Sequence, residues 1–282
     1  MYAPDYLQWI GRVEEAHDVV TVDKVRALRA TLDYSDLTVN EGDPLPPTWH
    51  WILANPIASA SALGRDGHPA KGGFLPPVTL PRRMWAGSQL EFRKPIRVGD
   101  RFKRSSEIVS VQPKSGSSGP LVFVTVRHTL TSSSGGEVID TQDLVYREDP
   151  KAGAPAPKRE TPPLAAELVR DLTPDSTMLF RYSALTFNGH RIHYDLDYVT
   201  RVEGYAGLVV HGPILATLMV ELVRHEIERQ NPAASVKAFR FAGKRPVTVP
   251  TAIQVCAHKE GSRYATWVVA GDAVASAGQV EV

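Results

Sequence analysis

A proline- and alanine-rich segment near the middle of the chain limits the folds that this sequence can adopt. Residues 149–163 read DPKAGAPAPKRETPP. Such a composition cannot bury a hydrophobic core and favours extended, polyproline-like backbone. The flanking stretches are each long enough for one small domain. We therefore predict a first domain at 1–148, a linker at 149–163 and a second domain at 164–282.

The two halves repeat a short pattern around a proline. Residues 90–100 read LEFRKPIRVGD and residues 239–250 read FRFAGKRPVTVP. In each, a phenylalanine precedes the proline and alternating apolar residues follow it, which predicts a strand, a break and a second strand. Runs rich in β-favouring residues come next. The strands predicted from them are 104–111, 121–130 and 138–147 in the first half, and 252–259 and 263–270 in the second.

Helices are predicted ahead of both sets of strands. Residues 213–230 place apolar side chains at helical spacing and charged ones on the opposite face. In the first half the candidate helix is 49–63, followed by a Gly/Pro-rich loop at 64–77 that is long enough to suggest a function. A helix followed by an antiparallel sheet, twice, is an α+β plan.

Composition excludes several classes of protein. A formal net charge of +1 gives no overall positive field for nucleic acid or an anionic membrane, so we expect neither as a partner. No run approaches the ~18 apolar residues of a membrane span. A single cysteine, Cys256, rules out an intrachain disulfide and fits a reducing compartment. The N-terminus lacks a basic start with an apolar core. These features predict a cytoplasmic location.

The segment 182–212 concentrates the chemically active side chains. It contains His190, His193 and His211, with Asn188 and Arg191 between them. The pair His190-x-x-His193 has metal-ligand types, but no third ligand follows at a convincing spacing, so we predict no metal. No dinucleotide-binding or serine-hydrolase motif occurs.

The end of this segment predicts an oxyanion site. Pro213 suits the first position of a helix. The N–H of Gly212 would then lie at the positive end of that helix without an intrahelical acceptor. Such a donor can hold a developing oxyanion.

Two stretches carry a specific resemblance. TFNGHRIHYD at 186–195, followed by LVVHGPILATL at 208–218, resembles the active segment of the MaoC-like, hydratase-2 family of hotdog enoyl-CoA hydratases. The usual form there is Ser/Thr-Gly-Asp-x-Asn-Pro-Leu-His-x-Asp and then Val-His-Gly. GRDGHPAKGGFLPPVTLPRRMWAG at 64–87, with the strands after it, resembles the N-terminal hotdog of one branch. That branch contains the mesaconyl-C4-CoA and itaconyl-CoA hydratases and the 3-hydroxyacyl-thioester dehydratases.

The resemblance implies a double hotdog, in which each antiparallel sheet wraps a central helix. The second domain would carry the hydratase motif, and the first, which lacks it, the acyl pocket. By position, His193 matches the catalytic histidine, Asp195 the trailing acidic residue, and Gly212 the glycine whose N–H polarises the thioester carbonyl. Asn188 stands where the family usually has its catalytic aspartate. Asparagine cannot accept a proton at neutral pH, so we expect Asn188 to hold the water and His193 to move the proton. The resemblance also implies that the addition is syn.

The implied reaction is hydration or dehydration of an enoyl-CoA thioester, with a C5-dicarboxyl acyl group among the candidates. We predict four substrate-binding residues besides the catalytic set. These are Arg82, Arg83, Arg191 and Tyr194; Arg82 or Arg83 would hold a second carboxylate. No cofactor is expected, because CoA is part of the substrate. The acyl group, CoA against a carrier protein, and a homodimer against a single chain stay open. The rival hypotheses are a hotdog thioesterase and a non-catalytic acyl-thioester binding module.

Overall fold

A computed structural model describes residues 6–116, 119–149 and 159–282. Their strands form one antiparallel ten-stranded sheet. The strands are β1 Val13–Val19, β2 Arg82–Lys94, β3 Arg101–Gly116, β4 Gly119–Ser132, β5 Glu137–Arg147, β6 Leu168–Leu172, β7 Ala238–Gly243, β8 Ile253–Glu260, β9 Arg263–Ala270 and β10 Ala273–Glu281. The α-helices are α1 Val22–Thr31, α2 Ser176–Leu185, α3 Leu196–Arg201 and α4 Gly212–Gln230. Residues 150–158 of the predicted linker lie outside the described residues, and the domain boundaries stay a prediction.

The order of the strands separates the halves of the chain. It runs β1-β3-β4-β5-β2-β7-β10-β9-β8-β6, so the first five strands of the sequence occupy one side and the last five the other. The halves meet where Gly87–Glu91 of β2 pairs antiparallel with Ala238–Ala242 of β7. A Cβ on Gly87 would overlap the carbonyl oxygen of Phe241. Glycine is therefore required where the two backbones approach most closely.

The prediction for α4 and for most strands is confirmed, but two parts of the sequence-based plan are wrong. Residues 49–63 form only the 3₁₀ turns Trp49–Ile52 and Ala60–Ala62, and α1 is the α-helix of the described first half. Pro56 falls inside the predicted helix, and a proline there removes a hydrogen-bond donor and pushes its neighbour out of helical geometry. The second strand predicted after each proline is also absent.

The turn after Pro95 has a specific cause. The Asp100 carboxylate accepts hydrogen bonds from the Arg97 N–H at 2.8 Å and from the hydroxyls of Ser132 at 2.6 Å and Ser134 at 2.7 Å. These bonds close residues 97–100 into a turn ahead of β3. Alternation of apolar residues alone does not reveal such a side-chain-stabilised turn.

Helix α4 packs against the strands of the second half and also holds the first half in place. Glu221, on α4, is fully buried and accepts a hydrogen bond from Trp49 Nε1 at 3.2 Å. Arg224 pairs with the same carboxylate at 2.8 Å and with Glu228 at 2.7 Å. The Trp49–Glu221 hydrogen bond therefore fixes the 3₁₀ turn of the first half against the central helix of the second, and Arg224 holds the carboxylate that accepts it.

Replacing Glu221 by alanine should destabilise the fold by about 3 kcal/mol, because it leaves a buried arginine and the Trp49 N–H short of an acceptor. Urea unfolding measures the change. Glu228→Ala is the matched control: that carboxylate is 41% exposed, and its loss should cost less than about 1 kcal/mol. Equal effects would contradict a special role for the buried acid.

Candidate active site

His193 ends a short 3₁₀ turn and is buried. Its Nδ1 lies 2.7 Å from the carbonyl oxygen of Val209. A carbonyl only accepts, so Nδ1 carries the hydrogen and Nε2 keeps a lone pair. Burial lowers the pKa of His193 to about 4, against the opposing effect of this hydrogen bond. The ring is therefore neutral at pH 7, with Nε2 available to accept a proton.

Two further histidines flank this ring. His211 stacks on His193 with ring centres 3.5 Å apart and planes 16° from parallel. Its Nε2 lies 2.9 Å from the hydroxyl of Ser183. His190 meets His193 edge-on at 5.4 Å. Burial, and the neighbouring histidines after it, hold the pKa of His211 well below its ordinary value. The stack thus fixes the orientation of His193 while remaining uncharged.

Asn188 follows a residue in the left-handed region, Phe187, with φ +48°. Its Oδ1 accepts a hydrogen bond from the His190 N–H at 3.0 Å. One lone pair of that oxygen is therefore committed to the turn. Within the described residues, Nδ2 has no recorded hydrogen bond. The expected role of Asn188 in holding water accordingly falls on this amide nitrogen and on the second lone pair of the oxygen.

Gly212 begins α4, as predicted. Its N–H has no acceptor among the residues that the structure describes, and the next residue is Pro213. A Cβ on Gly212 would meet nothing within 4 Å. The donor therefore lies at the positive end of a 19-residue helix, and the backbone beside it has room for an added methyl group.

The first-half loop at 64–77 is docked on the histidine segment. The Arg191 N–H donates to the carbonyl of Asp66 at 2.9 Å, and Arg191 Nη1 donates to the carbonyl of Arg65 at 3.2 Å. Gly67, at φ +86°, lies against Gly189 so closely that a Cβ on it would overlap the Gly189 carbonyl oxygen. Both halves of the chain therefore build the site.

This loop brings a carboxylate–histidine pair that the sequence reasoning missed. Asp66 Oδ2 lies 3.0 Å from His68 Nδ1, and the His68 ring lies 4.1 Å from the ring of His190. Burial lowers the pKa of His68, and Asp66 acts against that shift. The length of this loop suggested a function in the sequence, and its Asp-x-His spacing was the signal that could have revealed the pair.

The three side chains of this cluster, one carboxylate and two imidazoles, are of kinds that bind metal ions. Ligand atoms of Asp66, His68 and His190 all lie within 4.8 Å of one another. The Asp66 oxygen and His68 Nδ1 are, however, hydrogen-bonded to each other. Since Nδ1 carries the hydrogen in that bond, the pair resembles an oriented imidazole more than a metal-binding set. We assign no metal here.

A cavity of about 280 Å³ extends from this site into the first half. The second half contributes Tyr182, Thr186, Asn188 and Pro213 to its lining. Polar residues of the first half also line it: Glu14, His50, Asn55, Arg104, Ser106, His128, Asp140 and Gln142. His193 and Gly212 are not among the described lining residues, but Pro213 directly follows Gly212, and Asn188 lies in the same segment as His193. The cavity therefore begins beside the proposed oxyanion donor.

The two predicted arginines of β2 differ in their surroundings. Arg82 is buried and pairs with Asp149 at 3.0 Å and with Glu203 at 3.1 Å. Its guanidinium is thus occupied by protein carboxylates. Arg83 has no recorded ion pair within the described ranges, and its positive charge lowers the pKa of His68. Of the two, Arg83 is the one that could meet a substrate.

Arg191 and Tyr194 lie at the surface of the segment. Arg191 pairs with Asp195 at 2.7 Å and stacks over the ring of Tyr198 at 4.2 Å. Tyr194 is 51% exposed, and its hydroxyl donates to the carbonyl of Gly189 at 3.1 Å. Arg191 therefore holds the turn and the docked loop together.

A family model matches residues 48–249 and describes hydroxyacyl-thioester dehydratase type 2. The chain belongs to the hydroxyacyl-thioester dehydratase type 2 family. It is 42% identical to mesaconyl-C(4)-CoA hydratase of Chloroflexus aurantiacus over 264 residues, which cover 93% of this chain and 92% of the relative. It is 27% identical over 268 residues to the mitochondrial hydroxyacyl-thioester dehydratase type 2 of Schizosaccharomyces pombe, covering 86% of this chain and 87% of that one. The predicted MaoC-like relationship is confirmed.

Solved structures agree on the fold. A MaoC-like dehydratase matches with a TM-score of 0.66 at 15% identity, covering 96% of this chain and 98% of that chain. A Mycobacterium tuberculosis protein described as having a double hotdog fold matches with a TM-score of 0.56 at 15% identity, covering 96% of each chain. The predicted α+β double hotdog is therefore confirmed. Among the described residues, no helix is both long and apolar enough to cross a membrane.

Gly67→Ala should release the docked loop, because the added methyl overlaps the backbone of Gly189. Trypsin should then cut at Arg65 or Lys71 roughly tenfold faster, since cleavage follows local opening. Gly72→Ala is the matched control: Gly72 also has a positive φ, of +95°, but a Cβ there meets only Pro77 at an ordinary 3.5 Å. If trypsin cleaves the two variants at equal rates, the strain of an alanine at a positive φ explains the effect, and the overlap with Gly189 does not.

Proposed function

We propose that this chain catalyses reversible addition of water to the α,β double bond of an enoyl-CoA thioester, with a C5-dicarboxyl acyl group such as that of mesaconyl-C4-CoA as its substrate. The observation that carries the proposal is the set of three groups in the segment that borders the cavity. A neutral His193, the Asn188 amide and the free Gly212 N–H lie in one segment. The name of the 42% identical relative supports the C5 acyl group.

The reaction needs one proton carrier. In hydration, water oxygen bonds to Cβ while His193 Nε2 takes a proton from that water. The electron pair of the double bond moves toward the thioester, whose oxygen accepts a hydrogen bond from Gly212. The imidazolium then returns its proton to Cα, which gives the hydroxyacyl thioester and restores neutral His193. Asn188 holds the water in place, and a single carrier makes the addition syn.

A second imidazole also lies beside the segment. His68 has Asp66 on Nδ1, whereas His193 has a backbone carbonyl there. A carboxylate stabilises an imidazolium better than a carbonyl does. Comparing matched variants of the two histidines therefore decides which ring carries the proton.

The thioesterase alternative needs an unpaired acid near the central helix. The buried acid of α4 is Glu221, and Arg224 and Trp49 already occupy it. The polar groups of the cavity and its border favour water addition instead.

Location and assembly remain predictions. Cys256 is a free thiol buried beside Trp267 and Val274, which fits the proposed cytoplasmic location. Whether the protein works as a homodimer is open to measurement by light scattering.

The direct test is hydration of crotonyl-, mesaconyl-C4- and itaconyl-CoA, followed by loss of enoyl-thioester absorbance and by product mass. His193→Gln should lower kcat by about 10²–10⁴, the usual contribution of a general acid–base group, at an unchanged melting temperature. His68→Gln is the matched comparison and should cost less. If His193→Gln keeps more than a tenth of wild-type kcat while His68→Gln does not, the carrier is His68.

Gly212→Pro removes the proposed oxyanion donor and should lower kcat by about 10²–10³. Gly212→Ala keeps the N–H, and the free protein has room for its methyl. The alanine variant should therefore fold normally and lose less activity. Early melting of both variants would leave Gly212 with a role in backbone geometry only. A folded proline variant with full activity would remove the donor from the mechanism.

A further inference from the structure

One cation in the acyl cavity has no hydrogen-bonded anion among the described residues. Arg104 lies on β3, and its side chain is only 14% exposed. The nearest carboxylate oxygen belongs to Glu14, 3.9 Å from Arg104 Nη2, beyond hydrogen-bond distance. Arg104 Nε is buried, with no acceptor in the described ranges of the chain. A buried arginine without a hydrogen-bonded anion is unusual in a folded protein, because desolvation of its charge is then uncompensated.

One oxygen of the buried anion in the same cavity, Oδ2 of Asp140, is already held by its own neighbours. Asp140 accepts hydrogen bonds from Trp51 Nε1 at 2.9 Å and from Gln142 Nε2 at 2.7 Å, and lies 3.6 Å from His50 Nε2. No ion pair joins Asp140 to Arg104 in the described part of the chain. Arg104 is also the one lysine or arginine among the described residues that line the cavity.

The lining argues against a simple alkyl chain. Among the residues that the structure describes, three buried polar atoms of the cavity lining have no hydrogen-bond partner: Arg104 Nε, His50 Nε2 and Asp140 Oδ1. Methylene groups packed against them would displace water and leave all three unpaired. An acyl group that carries an anionic oxygen would instead supply the acceptor that Arg104 lacks.

We propose that Arg104 binds a carboxylate at the far end of the acyl group, so that the cavity selects enoyl-CoA thioesters of dicarboxylic acids. This inference rests on the proposed function, because the cavity begins beside Asn188 and Pro213. It assigns the carboxylate to β3 of the first half. Arg83, the arginine indicated by the sequence, does not line the described cavity, and its charge lowers the pKa of His68 instead.

Binding of saturated thioesters tests the inference without requiring turnover. Succinyl-CoA and butyryl-CoA differ in a terminal carboxylate against a methyl group. Calorimetry should find that the wild-type protein binds succinyl-CoA more tightly, and that Arg104→Met weakens it roughly 30- to 100-fold while butyryl-CoA binds at least as well. Arg104→Lys keeps the charge and should recover part of the affinity. Glu14→Gln removes the competing carboxylate and should tighten succinyl-CoA binding.

Turnover gives the matched second test. Mesaconyl-C4-CoA and 3-methylcrotonyl-CoA differ only by a carboxylate in place of a methyl group. Arg104→Met should lower the ratio of their kcat/KM values by a similar factor, whereas Arg83→Met should lower both values together and leave the ratio intact.

The outcomes separate the two proposals. If Arg104→Met weakens both saturated thioesters equally, or if Arg83→Met alone abolishes the preference for succinyl-CoA, the carboxylate site is not at Arg104. An Arg104-dependent preference for succinyl-CoA, with no hydration of any enoyl-CoA, would uphold the binding site and overturn the proposed hydratase. If Arg104→Met unfolds at a lower temperature than the wild type, the test rests on Arg104→Lys and Glu14→Gln. These two variants should shift the affinity for succinyl-CoA in opposite directions, which general unfolding would not do.

Discussion

The site depends on the approach of two backbones, one from each half of the chain. At Gly67 and Gly189 neither residue has room for a side chain. This approach lets the Arg191 N–H reach the carbonyl of Asp66. Without it the turn that presents His193 would have to satisfy its backbone groups with water. The arrangement of the chemical groups therefore depends on the absence of a side chain at both Gly67 and Gly189.

The three adjacent histidine rings also have to remain unprotonated. His193 lies between His211 and His190, and burial dominates the lowered pKa of each ring. Protonating one ring would place a cation against two neutral, poorly solvated neighbours. The three adjacent rings are consequently uncharged at pH 7, and a proton taken up during the reaction is readily given back. The Val209 carbonyl fixes which nitrogen does this, since it needs a hydrogen on Nδ1.

The sequence patterns predicted local helices and strands, but they did not reveal contacts between residues that lie far apart in the chain. The periodicity of residues 213–230 and the β-rich run at 263–270 correspond to α4 and β9, because a buried face leaves a regular trace in sequence. The helix predicted at 49–63 failed at Pro56. His68 and Arg104 were missed because their roles depend on neighbours far along the chain: His190 for one, the acyl cavity for the other. The resemblance identified His193, Asn188 and Gly212 as site residues, and their catalytic roles stay proposals.

The missing helix of the first half has a consequence for how such proteins diversify. Where the second half packs α4 against its strands, the described first half has the 3₁₀ turns Trp49–Ile52 and Ala60–Ala62 within a long connection to β2. The acyl cavity lies beside this connection, because Trp51, Leu53, Asn55 and Pro56 line it. Its size is then governed by the length and bulk of a surface connection, which tolerates insertion far better than a core helix does. Substrate range in this family could thus drift by lengthening or shortening one connection, while the residues that perform the chemistry, anchored on the other half, stay as they are.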